Sequence, residues 1–143
     1  MSHHAAPSTL GLEWVLGNVQ LGVLVLDSAL QVRFANPWLL RRARLQAQGV
    51  LGRALYEIFP GLRGGQFEAR LRHCLDTGFP ALLSETLNPA ELPLYAPTGP
   101  ATPDKRLKQS IQIMPMPAEV AQAVGERLVL IQISDVTPAV ARE

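Results

Sequence analysis

The chain has 143 residues, 48% of them hydrophobic and 17% charged, which suits one domain of the usual ~100 to 200 residues and leaves little for a second. With a formal net charge of +1, and with Arg41, Arg42 and Arg44 belonging to no longer basic run, it lacks the electrostatic footprint of a nucleic-acid binder. No window approaches the ~18 apolar residues that span a bilayer, the start has no secretory-leader pattern, and the single cysteine, Cys74, excludes an internal disulfide and a Cys/His zinc site, so a cytoplasmic domain is expected.

Residues 1–8 are expected to be a disordered N-terminus. From Thr9, a natural helix cap, Leu12, Val15, Leu16 and Val19 recur at the spacing of one helical face, which predicts an amphipathic N-terminal helix over residues 9–20. GVLVL (22–26) and QVRFA (31–35) then read as two strands joined by a short polar turn. The first is apolar on both faces.

Asn36-Pro37 stops the second strand and starts a helix, because proline lacks an amide donor and its fixed φ suits a first helical turn. This helix is predicted over residues 37–47, with Leu40, Ala43 and Ala47 on its inward face and Arg41, Arg44 and Gln48 in solvent. A short apolar segment, residues 55–59, closes at Pro60-Gly61. Residues 66–77 form the next predicted helix, with Phe67, Leu71, Cys74 and Leu75 inward, His73 outward, and Gly78 as its C-terminal stop.

Three more strands are predicted over residues 81–86, 107–114 and 127–134. Residues 88–104, with five prolines and no periodic apolar pattern after Tyr95, form a long loop of the kind that is usually functional or mobile. The 107–114 strand alternates apolar and polar, whereas LVLI (128–131) is apolar on both faces, like the first strand. Doubly apolar strands belong where both sheet faces are covered, so the first and last strands are placed side by side in the middle. The middle helices cover one sheet face; the N-terminal helix or a second copy of the chain must cover the other, and a homodimer is expected.

This order of elements, together with GVLVLD (22–27), VRFANP (32–37), LGRALYEIFP (51–60) and LIQISDVT (130–137), resembles the PAS, or sensory-box, family. The resemblance implies an α+β PAS fold: a five-stranded antiparallel sheet of order 2-1-5-4-3, middle helices on one face and the N-terminal helix on the other. The PAS domain would cover residues 21–137. The Asp135-Val136-Thr137 ending is similar to the junction at which such domains hand over to a linker, so Asp135 and Thr137 are the implied signal-relay residues. Residues 138–143 would begin a linker to an output domain, a diguanylate cyclase or a histidine kinase, lying outside this sequence. LSETLNP (83–89), PLY (93–95) and QSIQI (109–113) are similar, more particularly, to sensory-box domains with cyclase output, hence to cyclic-di-GMP signalling.

The resemblance also implies a cavity between sheet and middle helices, with Phe34, Leu40, Ala43, Phe59, Phe67, Leu71 and Cys74 as candidate contacts for a small ligand. The same residues are what an ordinary core requires, and no buried polar anchor announces a ligand. Flavin is not expected, since residues 55–62 lack the reactive cysteine of the light-sensing relatives. Haem is not expected either, because Phe67 stands where haem-binding relatives carry their histidine. No catalytic motif is present, and Glu57, Glu68 and Glu85 are scattered, so the domain itself is not read as an enzyme. Two functions remain open: a sensor whose ligand shifts the segment after Asp135, and a ligand-free dimerisation and relay module.

Overall fold

The computed structural model describes residues 11, 14–15, 18–84 and 92–137. Its strands are β1 (Gly22–Asp27), β2 (Val32–Ala35), β3 (Ala81–Leu83), β4 (Gln109–Pro115) and β5 (Leu128–Asp135). They form one antiparallel sheet of order β2-β1-β5-β4-β3. The two doubly apolar segments, β1 and β5, are therefore neighbours, as their composition required. The helices are α1 (Pro37–Ala43), α2 (Leu55–Ile58), α3 (Gln66–Thr77) and α4 (Ala118–Val124).

Side-chain alternation divides the sheet into two faces. Leu24 and Leu26 of β1, Val129, Ile131 and Ile133 of β5, and Ile111 and Ile113 of β4 are at most 1% exposed and meet Trp38, Leu39, Leu55, Phe67, Leu71 and Cys74 in the core. The opposite, outer face carries Val25, Leu130 and Met114 in one cross-strand row, with Gln132 and Gln112 in the next. These side chains are half-buried apart from the exposed Gln112.

Several elements differ from the sequence expectation. The helix after Pro37 ends at Ala43, not residue 47, because Arg44 enters the left-handed region at φ 60°. The Arg44 amide then donates to Arg41 O and the Leu45 amide to Leu40 O, which is the paired closure of a Schellman motif. Its buried residues are Trp38 and Leu39, with Leu40 and Ala43 only half-buried against the core. A glycine makes this packing feasible: a Cβ on Gly22 would lie 3.0 Å from the Trp38 ring and 3.2 Å from Ile133 Cβ.

Helix α4 was not expected. Its sequence AEVAQAV buries no residue, so it lacks the apolar stripe by which a helix declares itself. Strand β4 is shifted to Gln109–Pro115, and β3 stops at Leu83. Helix α3 matches its predicted bounds and ends at Gly78 with φ 78°. Of the predicted N-terminal helix, Gly11, Trp14, Val15 and Asn18 are helical, and Trp14 and Val15 are exposed. The tail at 1–8, Thr9, Leu12, Leu16, the rest of the 81–86 strand beyond Ser84, Glu85 and residues 138–143 lie outside the described residues.

Candidate functional site

The C-terminal end of β5 is fastened by a small set of hydrogen bonds. The Asp135 carboxylate accepts from the Thr137 amide at 2.9 Å, an Asx-type local bond that turns the chain out of the strand. Thr137 Oγ1 accepts from the Lys108 amide at 2.9 Å, and the Val136 amide donates to Lys108 O at 2.8 Å. The β4–β5 ladder, whose last strand pair is Gln109 with Asp135, is thus prolonged through one side chain. Thr137 is already helical.

The neighbouring Gln109 is one of two buried polar residues among those described, at 2% exposure. Its Oε1 accepts from the Leu92 amide at 3.1 Å. Its Nε2 donates to Leu92 O at 2.6 Å and to Leu107 O at 3.1 Å. The side-chain amide imitates one backbone pairing unit and holds the proline-rich segment against the sheet. Leu92 and Leu94 are fully buried and Tyr95 nearly so, so this part of the long loop is packed against the domain.

Helix α1 is tied to the start of β1 and to the 92–107 segment. At its start, Asn36 is fully buried; its Oδ1 accepts from the amides of Leu39 and Val23, and its Nδ2 donates to Leu21 O. It caps the helix and pins the entry into β1 with the same amide. At the helix end, the Arg42 guanidinium lies 4.2 Å over the Trp38 ring, while the Arg42 carbonyl accepts from the Tyr95 amide. Burial lowers the Arg42 pKa, Arg41 adds to the effect, and the negative charge of Asp135 opposes it. Arg42 thus ties the end of α1 to the 92–107 segment.

Of the residues named for a ligand cavity, Phe59, Phe67, Leu71 and Cys74 are buried in the core, and Leu40 and Ala43 flank it. Phe34 departs from the set. A register shift between Val25 and Leu26 pairs it with Val25, and a residue paired with Val25 shares the outer face. Asp135 and Thr137 do come together. Asn36, Trp38 and Gln109 were not singled out by sequence reasoning; the cap position of Asn36 before Pro37 was the available signal for the first.

Clefts open at the periphery of the described residues. One of 680 Å³ lies between the end of α3 and the β4–α4 connection, lined by Cys74, Thr77, Pro80, Met114, Met116 and Arg127. Cys74 forms its floor but is itself fully buried, and that burial pushes the thiol pKa up, which leaves it a protonated, unreactive packing group. Another, of 390 Å³, lies on the outer sheet face beneath α4, between Val25, Met114, Val120, Leu128 and Leu130.

A family model described as the PAS fold matches residues 16–96. Among solved structures, a sensory box sensor histidine kinase from Vibrio cholerae is similar over 95% of this chain and 98% of its own, with TM-score 0.62 and 18% identity. The PAS domain of nitrogen regulation protein NR(II) from Vibrio parahaemolyticus is similar over 87% of this chain and 96% of its own, with TM-score 0.58 and 17% identity. No curated protein matches.

Proposed function

This chain belongs to the PAS-fold family, and we propose that it is a sensory signalling domain acting as a homodimeric relay, passing conformational change to an output domain through the Asp135–Thr137 exit. The observation that carries this reading is the bonding of Thr137 and Val136 to Lys108, because it makes the position of the departing chain depend on the register of β4. The outer-face row Val25, Leu130 and Met114, with the exposed Trp14 and Val15 of the N-terminal helix, supplies apolar surface for a second copy. That patch favours association because burying apolar area is worth about 25 cal/mol per Å².

The interior favours a relay over a ligand sensor. Phe67, Leu71, Leu55, Ile111 and Ile113 are at most 1% exposed and belong to one core cluster that joins sheet and helices, and displacing packed core side chains to admit a ligand is costly. The output partner is read as a histidine kinase or diguanylate cyclase. Native mass spectrometry of the freshly purified chain, set against its denatured mass, tests the proposal. A dimer without added mass, converted to monomer by Leu130→Glu, is expected. A monomer would overturn the dimeric relay, and a dimer retaining a stoichiometric small molecule would replace the relay with a sensor.

A further inference from the structure

We propose that residues 92–107 form a docked strap and that Gln109 couples its docking to the C-terminal exit, so that whatever holds or lifts the strap is felt at Thr137. The strap is tied at both ends and at its middle. Leu92 is held by Gln109, the Tyr95 amide by Arg42 O, and the Leu107 amide by Leu94 O. Arg44 Nη2 donates to the carbonyls of Ala96 and Gly99, both at 2.9 Å. Between these ties, residues 96–105 are exposed. Pro97, Pro100 and Pro103 restrict φ along the exposed stretch, so a contact at the tip displaces the anchors more than it bends the loop.

The coupling lies in two consecutive residues. Gln109 carries the strap on its side chain and stands opposite Asp135 in the β4–β5 register; Lys108 carries the exit through its amide and carbonyl. When the strap leaves, the buried Gln109 amide loses its bonds to Leu92 and Leu107 and is driven to rotate, because a polar group left short of partners in the interior is costly. That rotation disturbs the residue pair on which the exit is fastened. By linkage the effect is reciprocal: loosening the exit weakens strap docking by the same factor.

The inference rests on the relay reading for its signalling meaning, while the coupling is measurable within the 143-residue chain. Amide hydrogen exchange by NMR is compared for wild type, Arg44→Ala, which loosens the strap without touching β4, Gln109→Met, and Thr137→Val. Arg44→Ala is expected to speed exchange at Tyr95 and Leu107 and also at Lys108 and Val136, each by about tenfold for a lost hydrogen-bonding contact, with Ile131 unchanged. Thr137→Val is expected to speed Tyr95 and Leu107 in return. Strap amides that accelerate while Lys108 and Val136 stay at wild-type rates in Arg44→Ala would overturn the coupling, whether or not Gln109→Met folds. A monomer in native mass spectrometry defeats the dimeric relay and leaves this coupling standing; unchanged exit amides do the reverse.

Discussion

Thr137 Oγ1 stands 2.9 Å from the amide of Lys108, 29 residues earlier in the chain, and this one hydroxyl joins the departing segment to the start of β4. A side chain in that place serves as an extra rung of the sheet. It can be removed without changing the strands themselves, so its contribution can be isolated by substitution.

Thr137→Val keeps the shape and β-branching but deletes the acceptor, leaving the half-buried Lys108 amide without it. The expected loss is about 1 kcal/mol, seen locally as faster exchange of Lys108 and Val136 and only weakly in the global melt. Thr137→Ser keeps the hydroxyl and is expected to restore wild-type exchange at Lys108. Equal behaviour of the two variants would show that the hydroxyl contributes nothing.

Gly22→Ala tests the approach of α1 to the sheet. The new Cβ would sit 3.0 Å from the Trp38 ring and 3.2 Å from Ile133 Cβ, closer than carbon atoms rest, and neither neighbour is a flexible chain end. Overpacking of this kind costs about 1 to 3 kcal/mol, or roughly 3 to 9 °C in melting temperature for a domain of this size. Followed by circular dichroism, Gly22→Ala with Trp38→Phe should lose less than the sum of the single losses, since the smaller ring makes room. Strict additivity would place the strain elsewhere.

These two sites show what the sequence could and could not convey. The neighbouring placement of β1 and β5 was legible because a central strand, buried on one face and half-buried on the other, favours apolar residues on both, a signal intrinsic to each strand. Trp38 facing Gly22 was not legible, because it depends on where α1 lands on the sheet. Phe34 was named for the cavity through the family resemblance, and the register shift between Val25 and Leu26 puts it on the outer face; one extra residue in a strand reverses the face of a side chain. Helix α4 buries nothing and so left no periodic trace. The strap was hidden for a related reason: Leu92 is held by a side-chain amide 17 residues away, and no local pattern encodes that partner. The exit residues Asp135 and Thr137 were legible through family resemblance, not through composition.

Arg44 is one of two non-glycine residues with positive φ among those described, the other being Leu30. The left-handed conformation costs an ordinary residue about 1 kcal/mol, and here the guanidinium offsets that cost by holding the carbonyls of Ala96 and Gly99. Arg44→Ala keeps the backbone strain and loses the bonds, with an expected loss of about 1 kcal/mol. Arg44→Gly loses the same bonds but relieves the strain, so it should melt above Arg44→Ala. If the glycine variant melts below the alanine variant, the helix end is not strained at this position.

Cys74 gives the domain a dependence on alkaline pH whose sign follows from burial. Its thiol pKa is raised above the ordinary 9.0 by desolvation alone, so the folded chain holds the proton where the unfolded chain has released it. The resulting stability is fully present below the unfolded pKa and is lost as pH rises through the folded one. The wild-type melting temperature should therefore decline from about pH 9 upward. Tyr56, whose pKa is raised from 10.0 by burial and then by Glu68, adds to the decline at higher pH. Cys74→Ala removes the first contribution and also leaves a small void, costing about 1 kcal/mol at neutral pH. Its melting curve should start lower than wild type at pH 7 and approach it between about pH 9 and pH 10, before Tyr56 dominates both. Parallel curves across that window would mean that the thiol meets water in the folded state, and a disulfide-exchange reagent would then label Cys74 in the native protein as fast as in the denatured one.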